Sequence, residues 1–161
     1  MNADLKPKGR YTFDVYDALG NHIDQRITEN LITDLGANHV LDVSLDSTAA
    51  TAEWYIGLIN NTPTPGLLAA DTLASHAGWV EFTDYTGNRQ EWLRAAAAAR
   101  VKASSANSVF PILGTATIWG GFVCGAATGT SAILMSEATF AVALPVVNGN
   151  TVNVTYTLSY Q

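Results

Sequence analysis

The last strand-like segment constrains the fold more than any other part of the chain. Val152, Val154, Tyr156, Leu158 and Tyr160 alternate without a break against Thr151, Asn153, Thr155, Thr157 and Ser159. A period of two puts every apolar side chain on one face, so the segment predicts a half-buried antiparallel strand. That face must be buried against a second layer. Asn148-Gly149-Asn150, just before it, predicts a tight reversal from a strand ending near Leu144.

The same reading applies upstream. Tyr11, Phe13 and Val15 alternate with Thr12 and Asp14, and Leu19-Gly20-Asn21 then supplies a turn before a second extended run over residues 22–28. Residues 53–59 are apolar on both faces, as in the middle of a packed sheet. Asn60-Asn61-Thr62-Pro63-Thr64-Pro65 ends that strand, because each proline lacks a donor and fixes φ. Further short extended runs cover residues 107–113, 115–124, 132–136 and 138–144. Helical spacing of Leu31, Leu35, Val40, Leu41 and Leu45 predicts one helix, capped by Thr33 or Asp34, despite Gly36. Asp71 or Thr72 is placed to cap a second helix of one or two turns ending near Gly78. Residues 94–100 have high helix propensity but no large apolar side chain to anchor a helix. With no βαβ alternation, the pattern predicts an all-β fold. The expected form is a single antiparallel β-sandwich over residues 11–161, the jelly roll among its variants, with one or two short helices and an N-terminal arm over residues 1–10.

Composition narrows the partners. The 161 residues carry a net charge of −6 with eight Lys and Arg, too few cations to neutralise many phosphates or to dock on an anionic leaflet. No apolar run approaches the length of a membrane span. The expected partners are therefore proteins, other copies of this chain included, with neither nucleic acid nor membrane among them. Cys124 is the single cysteine, so no intrachain disulfide is available, which fits synthesis in a reducing cytoplasm.

The search for chemistry finds little. Asp71, Ser75 and His76 have the parts of a nucleophilic triad, but adjacent residues on a helix or strand point apart, and no G-x-S-x-G elbow supports them. His22, His39 and His76 are scattered and form no metal-binding spacing. Asp14, Asp17, Asp24, Asp34, Asp42, Asp46, Glu81 and Asp84 never take the spacing of a calcium loop. Gly114, Gly120, Gly121, Gly125 and Gly129 make no phosphate-binding motif and read as turns and bulges. Trp54, Trp79, Trp92 and Trp119 read as core for at least two, the remainder at a subunit interface. The expectation is a protein without catalytic residues, cofactor or metal.

A resemblance then enters in the middle of the chain. Trp54-Tyr55-Ile56-Gly57-Leu58-Ile59, Thr62-Pro63-Thr64-Pro65, Ala70-Asp71-Thr72-Leu73-Ala74-Ser75-His76-Ala77-Gly78-Trp79 and Glu91-Trp92 together resemble a family of small tailed-bacteriophage structural proteins. Asn30-Leu31-Ile32-Thr33 with Gly36 and Leu41, and the closing strand, are similar as well. The likeness is good over residues 28–93 and one of pattern over 105–161; the Ala95 to Ala99 run departs from it. The resemblance implies a virion component, foremost a head decoration or cement protein on the capsid surface that binds the major capsid protein. Collar or tail attachment, and a glycan-binding receptor module, are the alternatives. Lys6, Lys8 and Arg10 in the N-terminal arm are the candidate capsid contacts, able to pair with acidic shell groups.

Overall fold

The computed structural model describes residues 6–60 and 66–161. Residues 1–5 of the expected arm, and Asn61 to Pro65 with their predicted strand ending, lie outside the described residues. Eleven strands and one helix follow in the order β1 (Pro7–Tyr16), β2 (His22–Glu29), β3 (Leu31–Ile32), α1 (Asp34–Leu45), β4 (Tyr55–Asn60), β5 (Val80–Phe82), β6 (Gln90–Glu91), β7 (Val101–Ala103), β8 (Ser108–Pro111), β9 (Ala116–Cys124), β10 (Leu134–Val146) and β11 (Thr151–Tyr160). They form two antiparallel sheets. Sheet A runs β2-β1-β11, with β7 and β8 both on the far edge of β11; sheet B runs β3-β10-β9-β4, with β5 and β6 on the far edge of β4. The predicted all-β sandwich is the fold.

The alternation of the C-terminal strand does what its period requires. Tyr11, Phe13 and Val15 of β1 lie beside Tyr156, Val154 and Val152 of β11 in register, and all six are wholly buried. They pack against Ile56 and Leu58 of β4, Ile118 and Val123 of β9, and Ala138, Phe140 and Leu144 of β10. A polar thread crosses this core. The Tyr11 hydroxyl bonds Ser136 Oγ at 2.8 Å, Ser136 bonds the Tyr156 hydroxyl at 3.2 Å, and Asn30 Nδ2 donates to that hydroxyl at 2.7 Å. Each buried hydroxyl is thereby satisfied, as an interior demands.

The turns and the helix largely follow the sequence. Gly20 and Gly149 take positive φ values of 83° and 87°. The β1–β2 hairpin forms as predicted. The reversal at Asn148-Gly149-Asn150 does not make a hairpin, because β10 and β11 belong to different sheets, so the turn is a corner between layers. Residues 132–144, expected as two runs, belong largely to the single strand β10, with a register break between Thr139 and Leu144. Helix α1 starts after Thr33, whose Oγ accepts the Gly36 N–H at 3.0 Å. Gly36 is what lets the helix approach: a Cβ there would overlap the Met135 backbone.

Two expectations are corrected, and a segment whose state the sequence left open is defined. No helix forms after Asp71: Thr72 and Ser75 exchange backbone hydrogen bonds in a tight turn, since Leu73 must enter the core from a segment too short for a helical face. Residues 94–100 are not helical either. Ala98 and Val101 bond each other across a two-residue turn in which Ala99 and Arg100 take φ of 48° and 64°. Finally, the first strand begins at Pro7 rather than Tyr11. Lys8 and Arg10 pair with Ser159 and Thr157 of β11, and Lys6 exchanges backbone bonds with Gln161. The alternation was hidden because Gly9 stands at an inward position filled by Asn30 and the Tyr156 hydroxyl.

Two outcomes follow. Left-handed φ at a non-glycine residue costs about 1 kcal/mol or more, and the two-residue hairpin turn favours Asn and Gly. Ala99→Gly should therefore raise stability by about 1 kcal/mol in urea denaturation. Removing residues 1–10 should lower the urea midpoint markedly, because it deletes ladder pairs of the central strand of sheet A.

Candidate functional site

Three places in the fold gather polar or apolar groups that a bare sandwich does not need. The first is the outer face of sheet B. Residues 66–79 cover it, with Leu73 and Trp79 packed on Ile59, Phe122, Cys124 and Leu134. Within this cover sits Glu137 of β10, fully buried. Trp79 Nε1 donates to Glu137 Oε2 at 2.6 Å, and the Asp71 carboxyl stands beside it. Burial, then the neighbouring Asp71, push the Glu137 carboxyl up to about 8 against opposing bonds from Trp79 and the Leu68 N–H. The site thus favours the neutral acid form of Glu137.

The suspected triad residues lie in this same segment but do not converge on one another. Asp71 is turned inward, its Oδ2 accepting the Leu68 N–H at 3.1 Å. Ser75 is exposed at its turn. His76 lies flat on Trp79, ring centroids 3.6 Å apart, with Nδ1 at 2.9 Å from the Trp79 carbonyl. Asp71 and His76 hold the segment together through their side chains, and Ser75 through its backbone bonds with Thr72. The other histidines are similarly placed: His22 bonds Asp14 at 2.9 Å, and His39 packs edge-on against Trp54 and reaches Thr51 Oγ at 3.1 Å.

The second place is Arg89, which is buried. Its Nε and Nη2 donate to the two oxygens of Glu81, each at 2.7 Å, and Nη1 donates to the carbonyls of Ala126 and Gly129. The guanidinium carbon stands 5.3 Å from the Phe122 ring centroid. This fork pins the 125–133 turn to the start of β6, using the planar geometry that Arg alone offers. Burial raises the nearby Cys124 thiol, leaving it unreactive.

The third place is the end of the sandwich where the two ends of the described chain, Lys6 and Gln161, meet. Leu41 and Leu45, one turn apart on α1, are 55% and 76% exposed. Leu41 borders a groove lined by Pro7, Ile32, Val40, Met135, Leu158 and Tyr160. Basic residues lie near it: Arg94 and Lys102 line the adjoining hollow beside Leu158, and Arg100 lies next to Tyr160, whereas Lys8 and Arg10, opposite Ser159 and Thr157, project from the outer face of sheet A at the same end. Lys6 joins them through its backbone pairing with Gln161. Six of the chain's eight Lys and Arg therefore sit at this end. The remaining two, Arg26 and Arg89, are paired with Asp24 and Glu81.

Sequence reasoning identified Lys6, Lys8 and Arg10 but placed them on an arm; the structure seats Lys8 and Arg10 on β1 and adds Arg94, Arg100 and Lys102. It missed Glu137 and Arg89, whose one signal is a charged residue beside an apolar run. Of the tryptophans, Trp54, Trp79 and Trp92 are core and Trp119 is half-buried on the outer face of sheet B. No group of three or more His, Cys, Asp or Glu among the described residues could hold a metal ion, and no helix among them is long and apolar enough to cross a membrane. No protein-family model matches the sequence, and no curated protein matches it.

Breaking the Arg89 fork leaves a carboxylate and two carbonyls without their donor. Arg89→Ala should cost about 3 kcal/mol of stability, while Ser75→Ala should stay within about 0.5 kcal/mol; thermal and urea unfolding read both.

Proposed function

We propose that the chain is a non-enzymatic structural subunit of a tailed-phage particle, a decoration protein that binds assembled shell subunits and stabilises the shell. The observation that carries this reading is the terminal end of the sandwich. An otherwise acidic chain gathers six of its cations at this end, with Arg94, Arg100 and Lys102 beside the apolar groove and two exposed leucines on α1. Contiguous apolar surface rimmed by polar groups marks protein interfaces, and clustered cations beside it add orientation and association rate toward an acidic partner. The fitting partner is an acidic protein surface with an apolar centre, such as an assembled shell can repeat over its lattice. A protein that binds only the assembled shell must favour it, and many copies act together on a closed lattice.

The side chains of Asp71 and His76 are engaged within the cover of sheet B, and Ser75 is held there by its backbone. The resemblance over residues 28–93 supplies the virion context. Self-association into an oligomer belongs to the same proposal, since a lattice-bound protein gains from contacts between neighbouring copies.

The test adds purified protein to undecorated particles and measures saturation and thermal release of DNA. Saturable binding at hundreds of copies, with DNA release moved to higher temperature, is the expected result. Leu41→Asp together with Leu45→Asp should leave the far-ultraviolet spectrum unchanged and reduce occupancy at least tenfold. Binding confined to a tail vertex, to a glycan or to free DNA would overturn the decoration reading.

A further inference from the structure

Residues 66–79 form a strap over the outer face of sheet B. Its two ends touch, for a side chain at Gly78 would overlap the Gly66 carbonyl, and loops closed this way form compact units that open together. Three polar attachments hold it down. The Asp34 N–H of α1 donates to the Ala69 carbonyl at 2.7 Å. Trp79 Nε1 donates to Glu137 Oε2, and Asp71 meets Glu137 carboxyl to carboxyl. Only the last depends on a proton. Without that proton the one donor at the two carboxylates is the Leu68 N–H, which Asp71 Oδ2 takes at 3.1 Å, and Glu137 Oε1 is left a fully buried oxygen with no partner. As an acid, Glu137 donates from that position to Asp71 and the orphan disappears.

We propose that the Asp71–Glu137 pair is a proton latch: one shared proton keeps the strap closed over sheet B, and its loss releases the strap while the sandwich stays folded.

The surroundings offer no counter-charge that would replace the proton. From the strap, Glu137 faces Asp71 and the Trp79 indole, with His76 stacked behind that indole and bonded to the Trp79 carbonyl. From β9 come Phe122 and the Cys124 thiol; Arg89 stands at the Phe122 ring with its charge matched by Glu81. Asp34 lies where α1 meets the strap, and Tyr11 and Ser136 belong to the inner face of the sheets. The sign follows directly. With the strap closed the Glu137 carboxyl titrates at about 8, and with it open near its ordinary 4.5. The latch is thus complete below pH 4.5 and lost as pH rises through about 8. Between these values strap opening becomes up to about tenfold more frequent per pH unit, then levels off.

Hydrogen exchange on the full chain, followed by mass spectrometry at pH 6 and pH 9 and corrected for intrinsic exchange, reads this directly. Strap amides should lose at least tenfold protection at the higher pH, while β1 and β11 amides keep theirs. Glu137→Gln supplies a donor to Asp71 and an acceptor to Trp79 without a titrating proton, so its strap should stay protected at both pH values. Trp79 fluorescence in the wild-type chain follows the same event without substitution, with a midpoint near 8 expected. Equal strap protection at both pH values, a loss shared equally by β1 and β11, or a loss of the same size in folded Glu137→Gln protein would overturn the proposal.

Discussion

The pairing of β1 with β11 is the constraint on which the rest depends. Ten residues of each strand run in unbroken antiparallel register, from Pro7 against Tyr160 to Tyr16 against Thr151. The pairing joins the two ends of the described chain and lays six large apolar side chains in one layer. Everything in sheet A attaches to it: β2 on the outer edge of β1, and β7 and β8 on the far edge of β11. Such a sheet closes only after the C-terminal strand is available, a long-range contact that places most of the ordering cost late in folding. It also explains why the termini, with Lys6, Lys8 and Arg10, share one end of the molecule with the basic β7 turn.

Sheet B has the opposite character. Sheet A covers one face and the 66–79 strap the other, so its central strands are apolar in both directions. A charged residue there must find a partner or lose its charge. Arg89 does the first through Glu81; Glu137 does the second through a shared proton with Asp71. The contrast follows from geometry. Arg89 enters from a loop at the margin, where Glu81 keeps part of its carboxylate in water, whereas Glu137 stands in mid-strand under a strap that brings another acid to meet it.

Much of this was readable in the residues, and the exceptions have physical causes. The half-buried strands β1 and β11 carry their address in a period of two, and α1 in its spacing and its Thr33 cap. Doubly buried strands have no such period, which is why β10 read as two runs and Glu137 gave no signal. The strap read as a helix because Asp71 and Thr72 are good caps, yet tertiary demands decided: Leu73 and Trp79 both had to reach sheet B, and a turn at Thr72 and Ser75 does that where a helix would carry one of them away. The alanine run has helix propensity but no apolar anchor, and the pairing of β7 with β11 decided its form, at the expense of two residues with left-handed φ. Of the proposed contact surface, three cations were legible in sequence, but their company with Arg94, Arg100, Lys102 and the exposed leucines exists only once the strands are paired.

The latch and the terminal surface are joined through α1. The helix buries little of itself against the sandwich, with Gly36 its one fully buried residue; Val40 packs on the core and His39 on Trp54 and Thr51 along its middle, and its N-terminus adds two attachments. Thr33 holds that end to β10, its backbone N–H donating to the Met135 carbonyl at 3.1 Å and its side chain to the Leu134 carbonyl. Asp34 holds it to the strap through Ala69. One attachment is therefore to a strand that stays paired, and the other to a segment that a proton keeps closed. When the strap leaves, α1 keeps its cap but loses the bond that fixes its first turn. Leu41 and Leu45, two turns further on, lie at the far end of that lever. The carboxyl pair thereby bears on the first turn of the helix that carries the exposed leucines as well as on the cover of sheet B, while His39 and Val40 hold the middle of that helix to the sandwich.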